Sequence, residues 1–167
     1  MFSIGIENER FSMKNIAILV YSTHHGNTRK LVDAIAMGQD DIDVIDITKE
    51  KPADLSQYTV VGVASGIYAG HFGKPLVRYI KANLCEGQRV FALYTYGMPR
   101  SGYTNEIKNI VEESRCLYSG EYGCKGYNTF GPFKLFGGTG KGHPSASEIQ
   151  GAIDFFVGLK FKRMKVK

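Results

Sequence analysis

Residues 16–28 read Ile-Ala-Ile-Leu-Val-Tyr-Ser-Thr-His-His-Gly-Asn-Thr, an apolar run followed at once by a loop of hydroxyl, imidazole and amide side chains. A continuous apolar run of this length is typical of a strand buried on both faces of a parallel sheet. Residues 28–37 have helical spacing, so the loop joins a strand to a helix N-terminus. Unpaired N–H groups and a partial positive charge at that terminus favour an anion. The stretch therefore predicts a strand–loop–helix unit with an anion site.

The composition of this loop favours holding a phosphate over transferring one. The hydroxyls of Ser22, Thr23 and Thr28 can donate to phosphate oxygens, and Gly26 lets the backbone approach them. No lysine follows the loop, as one does in the phosphate loop of nucleoside triphosphatases. An ordinary capped turn, with Asn27 or Thr28 as the helix cap, is the alternative interpretation.

Strand-like and helix-like segments alternate along the rest of the chain. Further strands are predicted at 43–47, 58–65, 89–95 and 121–127, and further helices at 74–84, 104–114 and from Ser145 onward. At most a short helical turn is expected at 51–57. Five β/α units in 167 residues predict an α/β fold with a doubly wound five-stranded parallel sheet in the order 2-1-3-4-5.

The last helix has a start signal of its own. Ser145-Ala-Ser-Glu148 matches a capping box, in which a serine and a glutamate three residues later satisfy each other's backbone N–H groups. The spacing of the following residues places four apolar side chains inward, those of Ile149, Ile153, Phe156 and Val157.

Length and charge predict one domain at 13–160, with an N-terminal extension at 1–12 and a basic tail at 161–167. The extension carries charges and no continuous apolar segment, unlike a signal peptide. The net charge of +5 arises in the last eight residues, which hold five cations and no acid. We interpret this tail as a solvated helix end, so no nucleic acid is expected as a partner.

Three cysteines, Cys85, Cys116 and Cys124, are too few and too widely spaced to outline a disulfide framework or a zinc site. This pattern is typical of a reducing compartment, and we expect a cytoplasmic protein. No apolar stretch reaches the roughly 20 residues that span a bilayer, so no membrane span is expected.

Three loops are predicted to meet at the carboxyl edge of the sheet, where ligands of such folds bind. They are 22–28, 65–73 and 95–103. The second and third combine glycines with aromatic side chains, which can stack on a planar ring while the glycines let the backbone come close. A phosphate loop beside two such loops favours a flat heteroaromatic ligand that bears a phosphate.

These loops resemble those of the flavodoxins, and the resemblance extends over nearly the whole chain from Met13. Ser-Thr-x-x-Gly-Asn-Thr at 22–28 is similar to the family's phosphate loop, Ser-Gly-Ile-Tyr at 65–68 to its second flavin loop and Thr-Tyr-Gly at 95–97 to its third. The resemblance implies one tightly held, non-covalent FMN and electron transfer through its semiquinone and hydroquinone forms between redox partner proteins.

By the same resemblance, the phosphate is held by Ser22, Thr23, Gly26, Asn27 and Thr28. The ring lies along Ser65, Gly66, Ile67, Tyr68 and Gly70 on one side and Thr95, Tyr96 and Gly97 on the other. His24, His25 and Ala69 lie within these loops and complete the predicted cofactor site.

Two features depart from the family pattern. Flavodoxins are typically acidic around the flavin, whereas the third loop here has Arg100 and no acid. A cation near the ring favours the reduced anionic flavin, so we expect a less strongly reducing cofactor. The second feature is a long glycine-rich and aromatic stretch at 126–143, which either folds over the flavin edge or builds a dimer surface. A monomer and a homodimer therefore both remain open.

Three functions are compatible with the sequence. The first is an electron carrier. The second is an oxidoreductase on the same scaffold, such as an FMN-dependent NAD(P)H:quinone reductase or a protoporphyrinogen-oxidase-like enzyme, because one fold hosts many activities. The third is a phosphate- or nucleotide-binding module without redox chemistry.

Overall fold

Alternating strands and helices follow one another in the computed structural model, which describes residues 15–49, 54–129 and 131–164. The elements are β1 (Ile16–Tyr21), α1 (Asn27–Ala36), β2 (Ile42–Asp46), β3 (Val60–Tyr68), β4 (His71–Phe72), α2 (Lys74–Asn83), β5 (Arg89–Tyr96), α3 (Asn105–Glu113), β6 (Leu117–Lys125) and α4 (Ala146–Met164). Short 3₁₀ segments occupy Leu55–Gln57 and Gly131–Phe136. The predicted extension at 1–12, the first part of the expected turn at 51–57 and the end of the basic tail lie outside the described residues.

Five parallel strands form the sheet in the order β2-β1-β3-β5-β6, which confirms the predicted doubly wound order. The register aligns the carboxyl ends of the three central strands, since Tyr21 pairs with Ser65 and Gly66 pairs with Thr95. The segments that follow these strands are therefore held at one edge of the sheet.

Both faces of the sheet are buried, as the apolar run of β1 predicts. Ala17 and Leu19 point into a core with Leu76 and Ile80 of α2 and the inward residues of α3. Ile16, Ile18 and Val20 point the other way, into a second core with residues of α1 and α4. Alternation of side chains along a strand produces this division. Each buried aliphatic side chain contributes roughly 1.5–3 kcal/mol, so the central strands are fixed firmly in register.

The structure corrects the predicted open loop at 65–73. Strand β3 continues to Tyr68 and turns back as the short antiparallel strand β4, with Tyr68 paired to His71. Ala69 and Gly70 form the two-residue turn and both have positive φ angles, 50° and 90°, the combination that the twist of a tight hairpin favours. The expected end of the strand at Ser65 was wrong because the apolar pattern stops there although the pairing continues.

Strand β6 begins at Leu117, four residues before its predicted start. The first part lacks an apolar pattern because it lies at the edge of the sheet, where the Leu117 side chain is 61% exposed. A register shift opposite Val90 and Phe91 and a φ of 136° at Gly120 mark a bulge there.

The capping box of α4 is confirmed. The Ser145 N–H donates to Glu148 Oε2 at 2.7 Å, and the Glu148 N–H donates to Ser145 Oγ at 3.3 Å. The predicted inward position of Val157 was wrong, since this side chain is 37% exposed, whereas the predicted Phe156 is buried together with Ala152. The helix continues to Met164, beyond residue 160, after which the domain boundary was predicted. That boundary stays a prediction.

Within the described ranges, no helix combines the length and the apolarity that crossing a bilayer requires. The three cysteines are free thiols.

Candidate functional site

A cleft of about 230 Å³ opens at the carboxyl edge of the central strands. It is lined by eleven of the sixteen predicted site residues, namely Ser22, His24, Asn27, Thr28, Gly66, Ile67, Tyr68, Ala69, Thr95, Tyr96 and Gly97. The three loops, which lie far apart in the sequence, therefore do converge on one site.

The N-terminus of α1 closes one end of the cleft. His25 and Gly26 adopt left-handed conformations, with φ angles of 52° and 63°, and Gly26 occupies the cap position without any side-chain cap hydrogen bond. The alternative in which Asn27 or Thr28 caps the helix is therefore wrong. The first helical bond runs from Lys30 N to Gly26 O, which leaves amides of the first turn open to an anion.

Asn27 joins this helix to the opposite wall. Its Nδ2 donates to the carbonyl oxygen of Tyr127 at 2.8 Å. Its Oδ1 is buried and accepts no hydrogen bond from any described residue. An unpaired buried acceptor costs roughly 1–3 kcal/mol, so a ligand that donates to Oδ1 would recover this energy.

A pair of buried hydroxyls connects the first and third loops. Thr28 Oγ1 lies 2.8 Å from Thr95 Oγ1, and both side chains line the cleft. The pair fixes the distance between the start of α1 and the end of β5.

Tyr68 connects the second loop to the first. Its hydroxyl oxygen accepts hydrogen bonds from Thr23 N at 3.1 Å and from Thr23 Oγ1 at 3.0 Å. The ring packs edge-on against Tyr21, with centroids 5.7 Å apart, and lies 5.4 Å from the His24 ring. Aromatic side chains thus form a wall directly beside the end of the cleft at which the α1 amides are open to an anion.

Five predicted site residues support the cleft without lining it. Thr23 bonds to Tyr68 as above, Gly26 caps α1, and Gly70 lies in the β3–β4 turn. Ser65 is buried, where its Oγ accepts from Gly73 N at 2.9 Å and donates to Gly66 O at 2.7 Å. The His25 ring lies 4.4 Å from the Tyr127 ring, and its Nε2 is 2.8 Å from Thr129 Oγ1.

Gly126, Tyr127 and Asn128 form a fourth wall after β6 and were absent from the predicted site residues, although folding of the 126–143 stretch over the flavin edge was one of two alternatives. Gly126 N donates to Tyr96 O at 2.9 Å, and Asn128 exchanges both backbone hydrogen bonds with Thr139. The 126–143 stretch, whose position relative to the site the sequence left open, thus begins inside the site. The rule that ligands bind beyond strand ends would have found it if applied to the fifth strand as well as the central ones.

Two glycines, Gly97 and Gly126, let these walls approach one another, and Gly66 leaves room for the Tyr68 side chain within the second loop. A Cβ on Gly66 would lie 3.0 Å from the Tyr68 hydroxyl, one on Gly97 2.6 Å from Asn128 Nδ2 and one on Gly126 2.8 Å from Asn27 Nδ2. Each of these distances is shorter than an ordinary van der Waals contact, so side chains at these positions would displace the cleft walls.

Thiol and metal chemistry find little support here. Burial raises the pKa of Cys124 to about 12 and also raises the pKa of Cys116, so both thiols stay protonated and poorly nucleophilic. In the part of the chain that the structure describes, no three His, Cys, Asp or Glu side chains are grouped as metal ligands.

A family profile described as the flavodoxin domain matches residues 18–116. The chain belongs to the flavodoxin domain family. An uncharacterised protein of Methanocaldococcus jannaschii is 34% identical over 140 residues, which are 83% of this chain and 93% of that protein. The predicted family resemblance is thereby confirmed.

Solved flavodoxins share the fold. A flavodoxin from the domain Archaea superposes with a TM-score of 0.61 at 19% identity, covering 87% of this chain and 99% of its own. A mutant flavodoxin of Fusobacterium nucleatum bound to flavin mononucleotide gives a TM-score of 0.64 at 14% identity, covering 90% of this chain and 97% of its own.

Proposed function

We propose that this flavodoxin-family protein binds one FMN non-covalently in the cleft and carries electrons between redox partner proteins. The supporting observation is the cleft itself, in which the open N-terminus of α1 lies beside walls that contain Tyr68 and Tyr96. The α1 amides suit the phosphate, and the tyrosines suit a planar ring.

The residues present fit this cofactor in two respects. The buried Asn27 Oδ1 needs a donor, and the ribityl chain between ring and phosphate carries hydroxyl donors. Gly66, Gly97 and Gly126 are the positions at which a larger residue would crowd the walls. A cleft that is narrow at the glycines and polar at Asn27 suits a flat, hydroxylated phosphate ester.

Each wall has a separate task in this proposal. Ser22, Thr28 and the first-turn amides of α1 bind the phosphate with neutral dipoles, so the site neither protonates nor cleaves the ester. Tyr68 and Tyr96 orient the ring and exclude water from its faces. The bound FMN supplies the redox chemistry by accepting and releasing electrons one or two at a time.

The alternative is an FMN-dependent NAD(P)H oxidoreductase on the same scaffold. We favour carriage because a carrier requires only that part of the ring edge reach the surface, whereas an enzyme also needs room for a second substrate. We further propose a cytoplasmic location, which the free thiols Cys85, Cys116 and Cys124 support.

Titration of the apoprotein with FMN, followed by flavin fluorescence and by calorimetry, tests the cofactor assignment. We expect binding in a 1:1 ratio with quenched fluorescence. A colourless protein that binds no added FMN would refute the redox assignment and leave a phosphate-binding module.

Anaerobic photoreduction in the visible spectrum then tests carriage. A carrier passes through a long-lived one-electron-reduced species, whereas rapid two-electron reduction by NADH or NADPH without that species identifies an enzyme. Because both experiments use the same loaded protein, the two functions are separated in one preparation.

A further inference from the structure

The segments around the cleft carry cations and no acid. We define the site face as residues 22–28, 66–74, 96–104, 125–129 and 131–145, which follow or end the strands β1, β3, β5 and β6. This face holds all four histidines of the chain and none of its 16 acidic residues. It also holds five cations, Lys74, Arg100, Lys125, Lys134 and Lys141. The site face therefore carries a local excess of positive charge at the proposed cofactor site, in addition to that of the basic tail.

These five cations are exposed, and among the described residues none of them takes part in an ion pair. Ion pairs do form on other surfaces, as between Arg29 and Asp33 on α1. Of the carboxylates that border the site face, Glu106 and Glu148 lie against His71 and His143. Glu121 accepts from the Thr104 hydroxyl and pairs with Lys108. The cations of the site face are therefore available to an external anion.

Large apolar side chains are exposed on the same face. Met98 of the third loop is 66% exposed, and Leu135 and Phe136 of the turn after β6 are 86% and 85% exposed. That turn is tied to the cleft wall, since the Tyr127 hydroxyl donates to Gly137 O at 2.9 Å. Apolar anchors within a polar, charged surround are the usual anatomy of a protein interface.

We propose that the site face docks an acidic redox protein, one whose carboxylates surround its own redox centre. This inference rests on the proposed FMN function. The cations are spread over the segments of three of the four strands and the apolar anchors lie outside the cleft, which favours a protein surface over a small dianion bound within it. Opposite charges would steer the two proteins into encounter and orient their redox centres toward each other.

Two probe proteins of opposite charge test the proposal by stopped-flow spectroscopy. The acidic probe is a reduced plant-type ferredoxin, whose cluster loses one electron while the bound FMN gains one. The basic probe is ferric mitochondrial cytochrome c, which gains one electron from the photoreduced protein. We expect the ferredoxin rate constant to fall about tenfold between low and high ionic strength, and the cytochrome c rate constant to rise.

Charge-reversal variants identify the part of the surface that causes the salt dependence. The variant Lys134→Glu/Lys141→Glu alters the site face outside the FMN cleft, and Lys81→Glu/Lys162→Glu applies the same charge change toward the opposite edge of the sheet. We expect the first variant to slow the ferredoxin reaction at least about fivefold at low salt and to accelerate the cytochrome c reaction. The second should change both much less. Equal effects of the two variants, or a ferredoxin rate insensitive to salt, would overturn the proposal.

Retention on immobilised ferredoxin reads out docking without electron transfer. Apoprotein and loaded protein should both elute at higher salt than Lys134→Glu/Lys141→Glu. Leu135→Ser/Phe136→Ser should shorten retention without changing its salt dependence. If the protein is retained normally on ferredoxin but binds no FMN, the carrier function is refuted and the docking proposal is not. If Lys134→Glu/Lys141→Glu loses direct reduction by NADPH while its retention on ferredoxin is unchanged, the docking proposal is overturned. The cations of the site face then bind a small dianion and not a protein.

Discussion

Gly126 and Asn27 illustrate how single residues set the width of the cleft. The two come from segments 99 positions apart and touch because α1 and the end of β6 face the same site. We expect Gly126→Ala to push the Asn27 amide away from Tyr127 O, since the new Cβ would lie 2.8 Å from Nδ2. The predicted cost is about 1–3 kcal/mol in the free energy of unfolding, with FMN affinity lowered at least about tenfold because the cleft wall moves.

Chemical denaturation and FMN titration measure these two effects. Gly158→Ala is the matched control, because a Cβ there meets nothing within 4 Å. In a helix this substitution should raise stability by about 0.5–1 kcal/mol and leave FMN affinity unchanged. Similar FMN affinities for the two variants would contradict the assignment of Gly126 to the cleft.

Arg100 is the residue that should tune the cofactor. Its side chain reaches the second loop, where a Cβ on Gly70 would lie 3.5 Å from Arg100 Nη1. We expect Arg100→Gln to lower the potential at which bound FMN becomes fully reduced, because a cation that favours the anionic form is removed. The effect should be on the order of 1 kcal/mol for a solvent-exposed charge.

Spectroelectrochemistry at two salt concentrations measures the Arg100 effect. Added salt should reduce the difference between the wild type and Arg100→Gln, since exposed charges are screened. Arg78→Gln, an exposed change on α2, is the control. An unchanged potential in Arg100→Gln would refute the tuning role.

At the scale of elements, the stability of the start of α4 depends on pH. Glu148 at this helix start is hydrogen-bonded to His143 of the segment after β6. Partial burial pulls the pKa of Glu148 upward, but hydrogen bonds from the Ser145 N–H, the His143 ring and the Ser145 hydroxyl outweigh it. The pKa therefore lies below its ordinary value of 4.5. The distance from His143 Nδ1 to Glu148 Oε2 is 2.7 Å. The helix cap thus depends on a negative charge.

Because the pKa of Glu148 is lower in the folded than in the unfolded state, its stabilisation is fully present above pH 4.5 and is lost as the pH falls through the folded value. Glu148→Gln should lower the free energy of unfolding at pH 7 by about 0.3–1 kcal/mol, the usual range for a charge at a helix terminus. The two proteins should become equally stable at pH values well below 4.5.

Urea denaturation from pH 3 to pH 7 follows this difference. Asp154→Asn is the control, since Asp154 is exposed on the same helix and accepts from Gln150. A difference between the wild type and Glu148→Gln that stays constant across the whole range would show that the charge of Glu148 has no part in the cap.

At the scale of the whole molecule, the cleft is assembled from four walls that belong to distant parts of the chain. A ligand that contacts all of them binds the folded state alone and stabilises it by mass action. At an FMN concentration about 100 times the dissociation constant, we expect about 2.7 kcal/mol of added stability. That corresponds to a rise in Tm of roughly 5–10 °C for a chain of this size.

Thermal scans with and without FMN measure this rise. Riboflavin, which lacks the phosphate, should give a smaller shift, because the α1 amides and the Ser22 and Thr28 hydroxyls lose their ligand. Equal shifts for the two compounds would argue against a phosphate site at α1.

The sequence by itself determined the sheet order and most of the site. Continuous apolar strands and amphipathic helices leave few ways to bury both faces of a sheet, and Ser22–Thr28 directly follows such a strand. Eleven predicted residues accordingly line the cleft. Local patterns succeed here because backbone periodicity and helix-terminus chemistry act over a few residues.

Only the tertiary structure decided the fourth wall and the hairpin of the second loop. The pairing of Asn27 with Tyr127 O and of Tyr68 with Thr23 depends on packing between remote segments, which no local pattern encodes. Likewise, the charges of the site face are scattered along the sequence and form one surface only when parallel strands bring their carboxyl ends to one edge of the sheet.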